Sequence, residues 1–196
     1  MSAKPELSVA IRATGFGDLL TRCVATDDNN STQDLELAVD TVCAEMTAAR
    51  ARGSRLYLVG NGGSAGVASH SATDFFNAAK LRALTLHESS LMTCMANDFG
   101  YENAFARMLL QLVEPGDVVV AISSSGRSMN IRNAARQAAE NGGQVITLSG
   151  FAGDNPLRRM GSINFWLDSS DYGMVEIGHQ FLLHNLSDRI RTASTR

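Results

Sequence analysis

Residues 56–76, LYLVGNGGSAGVASHSATDFF, constrain this chain more than any other stretch. A short apolar run of strand type meets a turn rich in glycine and re-enters the chain as a helix. Such a unit leaves backbone N–H groups at a helix start converging on one spot, which attracts anions and phosphate above all. The plan returns at residues 118–128, VVVAISSSGRS, with hydroxyls in place of some glycines. One serine-rich turn is a weak signal. Two such loops at the carboxyl ends of parallel strands are specific, because ligands of open α/β sheets sit at that edge.

The rest of the chain keeps the same rhythm. Strands are expected at 55–59, 82–87, 118–122, 144–148 and 163–167. Helices are expected at 64–78, 89–96, 102–112, 128–141 and 175–191, with Ser64 as a cap. The alternation predicts an α/β fold: a single doubly wound five-stranded parallel sheet flanked by helices, with N-terminal helices. Val9, Ile11, Phe16, Leu19 and Leu20 suit a first helix face, broken at residues 27–30. Ser31 and Thr32 are candidate caps of a second helix that carries Leu35, Leu37, Ala38, Val42 and Met46 and ends at Gly53. Residues 1–53 are expected to form a helical arm, used either for oligomerisation or to cover the sheet, and residues 54–196 the main domain.

Composition removes several classes. Hydrophobic residues make up 44%, enough for a real core. The net charge of −3, with no long basic run, argues against a nucleic-acid partner. No apolar run approaches the ~18 residues of a membrane span, and the first residues lack the apolar segment of a secretory signal. Cys23, Cys43 and Cys94 are widely spaced without a CxxC, which fits thiols in a reducing compartment. A cytoplasmic protein is expected.

The loops are not nucleotide motifs. Ala65 interrupts GxGxxG after Gly60 and Gly62, and no GxxxxGK[ST] is present. A small phosphorylated ligand suits them better, with Arg127 either adding charge or lying in solvent. His70 and Asp74 stand at i,i+4 on one helix face, as a metal-binding pair or as a plain hydrogen-bonded pair. The last helix offers Glu176, His179 and His184 among Ile177, Phe181, Leu182, Leu183 and Leu186. Glu176 and His184 are eight residues apart, about 12 Å along a regular helix. They cannot hold one metal from one straight helix. Either Glu176 precedes the regular helix, or one ligand comes from a neighbouring subunit.

VGNGGSA paired with AISSSGRS on this rhythm resembles the SIS (sugar isomerase) domain family. The details resemble its phosphoheptose isomerase branch, which converts sedoheptulose 7-phosphate to D-glycero-D-manno-heptose 7-phosphate. The resemblance spans about residues 30–190 and includes ANDFGY at 96–101 and the closing helix with Glu176, Gly178, His179 and His184. It implies an aldose–ketose isomerase working through an enediol, with Asp74 and His184 as the acid/base pair. It implies a divalent metal, zinc in the family, on His70, Asp74, Glu176 and His184. It places the phosphate on Ser123, Ser124, Ser125 and Ser128, and Asn61, Gly62, Ser64, Asp98 and Asp171 around the sugar. It also implies a homotetramer with active sites at subunit interfaces.

This chain departs from the branch at four positions. Asp74 replaces a glutamate and is one methylene shorter, which sets a proton-transfer oxygen about 1 Å back, worth roughly 10²-fold in rate. Glu176 replaces a neutral glutamine. Ala78 stands where an arginine is usual, with Lys80 or Arg82 as candidate substitutes, and Tyr172 stands where threonine is common. Two other functions share the pattern: a non-catalytic assembly factor for the bacterial replication initiator, and a phosphosugar-binding sensor.

Overall fold

A computed structural model describes residues 7–193. Its elements run α1 Val9–Thr21, β1 Val24–Asp27, β2 Thr32–Gln33, α2 Leu35–Arg52, β3 Arg55–Val59, α3 Gly63–Asn77 and β4 Arg82–Thr85. They continue as α4 Ser89–Phe99, α5 Ala104–Leu112, β5 Val118–Ser123, α6 Met129–Glu140, β6 Gln144–Ser149, β7 Ile163–Trp166 and α7 Tyr172–Ala193. One sheet holds all strands in the order β2-β1-β7-β6-β5-β3-β4. The five expected strands, β3 to β7, pair in parallel.

The sheet has two further strands that the sequence reading took for a helix break. β1 runs antiparallel to β7, and β2 antiparallel to β1. Asp27 makes the turn between them: its carboxylate accepts the N–H groups of Asn29 at 3.0 Å and Ser31 at 2.8 Å. Thr32 therefore pairs with Thr26 instead of capping a helix. Asp34 caps α2, accepting from the Leu37 N–H at 3.0 Å.

The strand period of two divides the core. Val118, Val120 and Ile122 of β5 face α2, α3 and α7, while Val119 and Ala121 face α5 and α6. Every residue of β5 is buried, as a central strand covered on both faces requires. Ala38, Val39, Val42, Met46 and Ala49 pack α2 into the first of these clusters. α1 lies against α7, with Phe16 edge-on to Phe181 at 6.4 Å.

Two helix starts matter for the site. α3 begins after Gly62, whose φ of +53° and ψ of −121° suit glycine alone. Ser64 lies inside α3 and is buried, so it does not cap the helix. α7 is regular from Tyr172, with Asp171 accepting from the Met174 N–H at 3.2 Å. Glu176 is therefore inside the straight helix, which removes the first of the two routes to a shared metal.

Candidate active site

Strands β3 and β5 end side by side, and their following loops face one another. Between them lies a cavity of about 250 Å³, closed by Tyr172 and Glu176 of α7. Asn61, Gly62, Gly63 and Ser64 form one wall, and Ser123, Ser124, Ser125 and Ser128 the other. This edge is where the carboxyl ends of parallel strands collect ligands.

The serine wall is built for an acceptor-rich guest. Ser123 Oγ lies 3.2 Å from Ser128 Oγ, and Ser125 Oγ accepts from the Arg127 N–H at 3.2 Å. Ser128 stands at the start of α6 without capping it through its side chain, and of the first-turn N–H groups that of Ile131 is taken by Asn130 Oδ1. Ser124 is 4% exposed and its Oγ has no hydrogen-bond partner among the described residues. A buried hydroxyl left unpaired costs about 1–3 kcal/mol, so its presence in a pocket wall points to a ligand that completes it. Arg127 is exposed and does not line the cavity.

The glycine wall is different. The Glu176 carboxylate rests on Gly63, so close that a Cβ there would fall 2.3 Å from it. The first turn of α3 presents its positive end to that carboxylate. Beside it, Asn61 and Asn130 exchange two amide bonds of 2.9 Å, and the Tyr101 hydroxyl donates to Asn61 Oδ1 at 2.8 Å. His87 steadies the turn by donating from Nε2 to the Gly60 carbonyl at 3.1 Å. Burial pushes the His87 imidazole below its ordinary range, which keeps it neutral.

A second group lies farther along the α3–α7 seam. His70 Nε2 and His184 Nε2 are 3.1 Å apart. Asp74 Oδ2 lies 3.4 Å from His70 Nε2 and 3.2 Å from His184 Nδ1. One ligand atom from each residue fits within 4.8 Å of the other two. Asp74 Oδ2 is buried yet accepts no well-formed hydrogen bond. Two imidazole nitrogens and a carboxylate oxygen converging this way are a donor set that suits zinc and other divalent ions.

Several expected residues are placed elsewhere. Glu176 lines the cavity and is outside the His70–Asp74–His184 group, about 12 Å up the same helix from His184. Asp171 does not line the cavity; it pairs with Arg12 at 3.0 Å and starts the helix that carries Tyr172 and Glu176. The Arg12 hydrogen bond holds the Asp171 carboxyl below its usual range. Asp98 sits on α4, where it accepts from Asn97 Nδ2 at 2.9 Å, and it is not among the residues that line the cavity. Arg82, a candidate replacement for the arginine missing at Ala78, donates to the Gly53 carbonyl instead. His179 is wholly buried and donates to the Ser149 carbonyl at 3.1 Å, with burial lowering its pKa to about 4. Sequence reasoning did not find Asn130, a buried helix residue whose role exists only in three dimensions. Tyr101 stood in the ANDFGY stretch without an assigned role.

Known proteins place this geometry. The SIS domain model matches residues 20–150. A protein named phosphoheptose isomerase from Mycobacterium bovis BCG is 36% identical over 147 residues, which span 72% of this chain and 74% of that one. One of the same name from Pelobacter propionicus is 31% identical over 167 residues, 82% of this chain and 88% of that one. Among solved structures, a phosphoheptose isomerase from Francisella tularensis shares the fold with a TM-score of 0.83 at 22% identity, covering 98% of this chain and 100% of that chain. Two loops at one sheet edge, the histidine–carboxylate group behind them and these relatives converge on one conclusion: the chain belongs to the SIS domain family, within its phosphoheptose isomerase branch.

Proposed function

We propose that the protein is an aldose–ketose isomerase that converts sedoheptulose 7-phosphate to D-glycero-D-manno-heptose 7-phosphate. The observation that carries the reading is the serine wall between β5 and α6, with a buried Ser124 Oγ that has no hydrogen-bond partner among the described residues. It takes the phosphate. The sugar then extends toward Asn61, Gly62 and Ser64. Asp74 moves a proton between C1 and C2, and His184 serves the sugar oxygens as acid and base.

His70 and Asp74 lie seven and eleven residues beyond Gly63, roughly 10 and 16 Å along α3. None of the triad lines the cavity of its own chain. The triad is open to solvent, with His70 58% and His184 43% exposed, and Phe76, Ile177 and Phe181 are exposed on the same two helices. We therefore propose a homo-oligomer, a tetramer as in the branch, in which the triad of one copy completes the cavity of another. His70, Asp74 and His184 would hold a divalent metal, zinc in the branch, and a second copy is the remaining route by which Glu176 joins them. Bound there, it would supply polarisation of the sugar oxygens. Among the described residues no helix is long and apolar enough to cross a membrane, and we place the enzyme in the cytoplasm.

The test is incubation of the metal-loaded protein with sedoheptulose 7-phosphate. Appearance of the aldose supports the reading. Unchanged ketose from folded, metal-loaded protein contradicts it, and tight binding without product would make the protein a phosphosugar sensor.

A further inference from the structure

The side chain of Asn61 can be accounted for atom by atom. An asparagine amide has one oxygen with two lone pairs and two N–H donors, and its neighbours decide which end points where. The chain of constraint starts at a group that cannot turn round. The backbone N–H of Ile131 donates to Asn130 Oδ1 at 3.0 Å, which fixes the oxygen end of Asn130. Asn130 is 3% exposed, and its Nδ2 then donates to Asn61 Oδ1 at 2.9 Å. Asn61 Nδ2 returns a bond of 2.9 Å to Asn130 Oδ1. The Tyr101 hydroxyl fills the second lone pair of Asn61 Oδ1 at 2.8 Å. A flipped Asn61 would set N–H against N–H and oxygen against oxygen. Both acceptor positions and one donor are spent, so a single N–H is left on a side chain that lines the cavity.

We infer that Asn130 and Tyr101 are positioning residues that lock Asn61 as a one-way donor, and that its remaining N–H receives the carbonyl oxygen of the sugar as an oxyanion forms there. The inference rests on the isomerase reading above. In that reaction the base takes a proton from C1 of the ketose. The C–H electron pair becomes the C1–C2 double bond, and the carbonyl pair moves onto O2. Passage of the O1 proton to O2, and return of the carbon-bound proton to C2, yields the aldose with no external oxidant. Negative charge appears on O2 only in the course of the reaction. A donor that is already aimed and cannot turn its oxygen toward that charge needs no reorganisation when it develops. The three elements involved are the turn after β3, the start of α6 and the α4–α5 junction, so the lock also ties both walls of the cavity together.

The test combines kinetics with the side-chain amide signals of protein labelled with ¹⁵N-asparagine. Asn130→Asp keeps the shape of the side chain and the acceptor for Ile131 but removes the donor to Asn61. Its kcat on sedoheptulose 7-phosphate is expected to fall at least about 10-fold, part of the roughly 10²-fold that loss of a whole oxyanion donor costs. KM and the affinity for inorganic phosphate stay unchanged, which a merely structural defect would not allow. Tyr101→Phe, at an exposed position that folding tolerates, lowers kcat in the same way by a smaller factor. In the wild type, one Asn61 amide proton shifts on addition of sedoheptulose 7-phosphate while the other holds its place. Wild-type kcat in both variants, loss expressed only in KM, or an Asn61 amide that ignores the ligand would overturn the inference. A wild type that binds the sugar phosphate without making aldose overturns the isomerase reading and the oxyanion role together, and the amide signals then still decide whether the lock exists.

Discussion

The glycine loop after β3 and the serine loop after β5 follow one backbone plan and differ in what meets them. Each ends a buried parallel strand, opens a helix and stands near a neutral histidine that donates to a carbonyl: His87 to Gly60, His179 to Ser149. At the glycine loop the helix start is faced by the protein's own carboxylate, Glu176, packed on Gly63. At the serine loop no described residue completes Ser124 Oγ. Two equivalent turns therefore become unequal through one side chain on α7. In the function proposed above, the loop that already faces a negative charge is the poor phosphate site, and the loop with an unspent donor is the good one.

The largest effect should come from removing the chemistry while leaving both loops intact. Asp74→Asn is expected to lower kcat by about 10²–10⁴-fold, the range for loss of a general base, and to reduce bound divalent metal measured by elemental analysis. Inorganic phosphate should bind as before. Loss of phosphate affinity in that variant would mean that the loops and the triad are not separable.

Acid should next distinguish the two histidine anchors. His179 titrates near pH 4 in the fold, against an ordinary value near 6.5 in the unfolded chain. The unfolded state therefore takes up the proton first as the pH falls. The stability due to neutral His179 is complete above about pH 6.5 and drains away toward pH 4, by about 3 kcal/mol in all. Urea unfolding across that range checks it, with His179→Gln expected to flatten part of the slope. The Gly150 N–H donates to the Ser124 carbonyl at 2.9 Å, next to the Ser149 carbonyl that His179 holds, so phosphate binding should weaken in the same window.

Ser124→Ala sharpens the contrast between the loops because its two effects have opposite sign. Removing an unpaired buried hydroxyl should stabilise the free protein, by up to about 1 kcal/mol. The same change should weaken sedoheptulose 7-phosphate binding roughly 10-fold, the loss of one hydrogen bond to a charged group. A thermal melt and a calorimetric titration measure both. Gly63→Ala should have the smallest effect on stability, within about 1 kcal/mol, since alanine favours the helix while its Cβ displaces Glu176. Its value lies in the loop it exposes: phosphate should then gain weak affinity for the glycine turn, and Gly63→Ala combined with Glu176→Ala should gain more.

The sequence carried the sheet and both loops because their signals are local. Strand-length apolar runs, glycine or serine turns and helical periods are each contained within about 20 residues. The β1–β2 hairpin escaped because Val24–Asp27 and Thr32–Gln33 are too short to show a period, and only pairing with β7 makes them strands. The serine and glycine loops and the His70–Asp74 pair were readable as residue types at set spacings, whereas His184, 114 residues from His70, joined the pair only through the family resemblance. The separation of Glu176 from His184 also followed from the helical rise alone. Asp98 and Asp171 were named from motifs alone; in one copy of the chain Asp98 accepts from Asn97, Asp171 pairs with Arg12, and neither lines the cavity. Asn130 had no local signal, because its partner in the amide pair is 69 residues away.

A crystal structure of the protein with sedoheptulose 7-phosphate would show which of the two loops holds the phosphate. With the phosphate on the serine loop, as proposed above, one of its oxygens lies within hydrogen-bond distance of Ser124 Oγ, and the Glu176 carboxylate stays close to Gly63. A phosphate seated on residues 60–63 with Glu176 swung away, and Ser124 Oγ still unpaired, would contradict that placement.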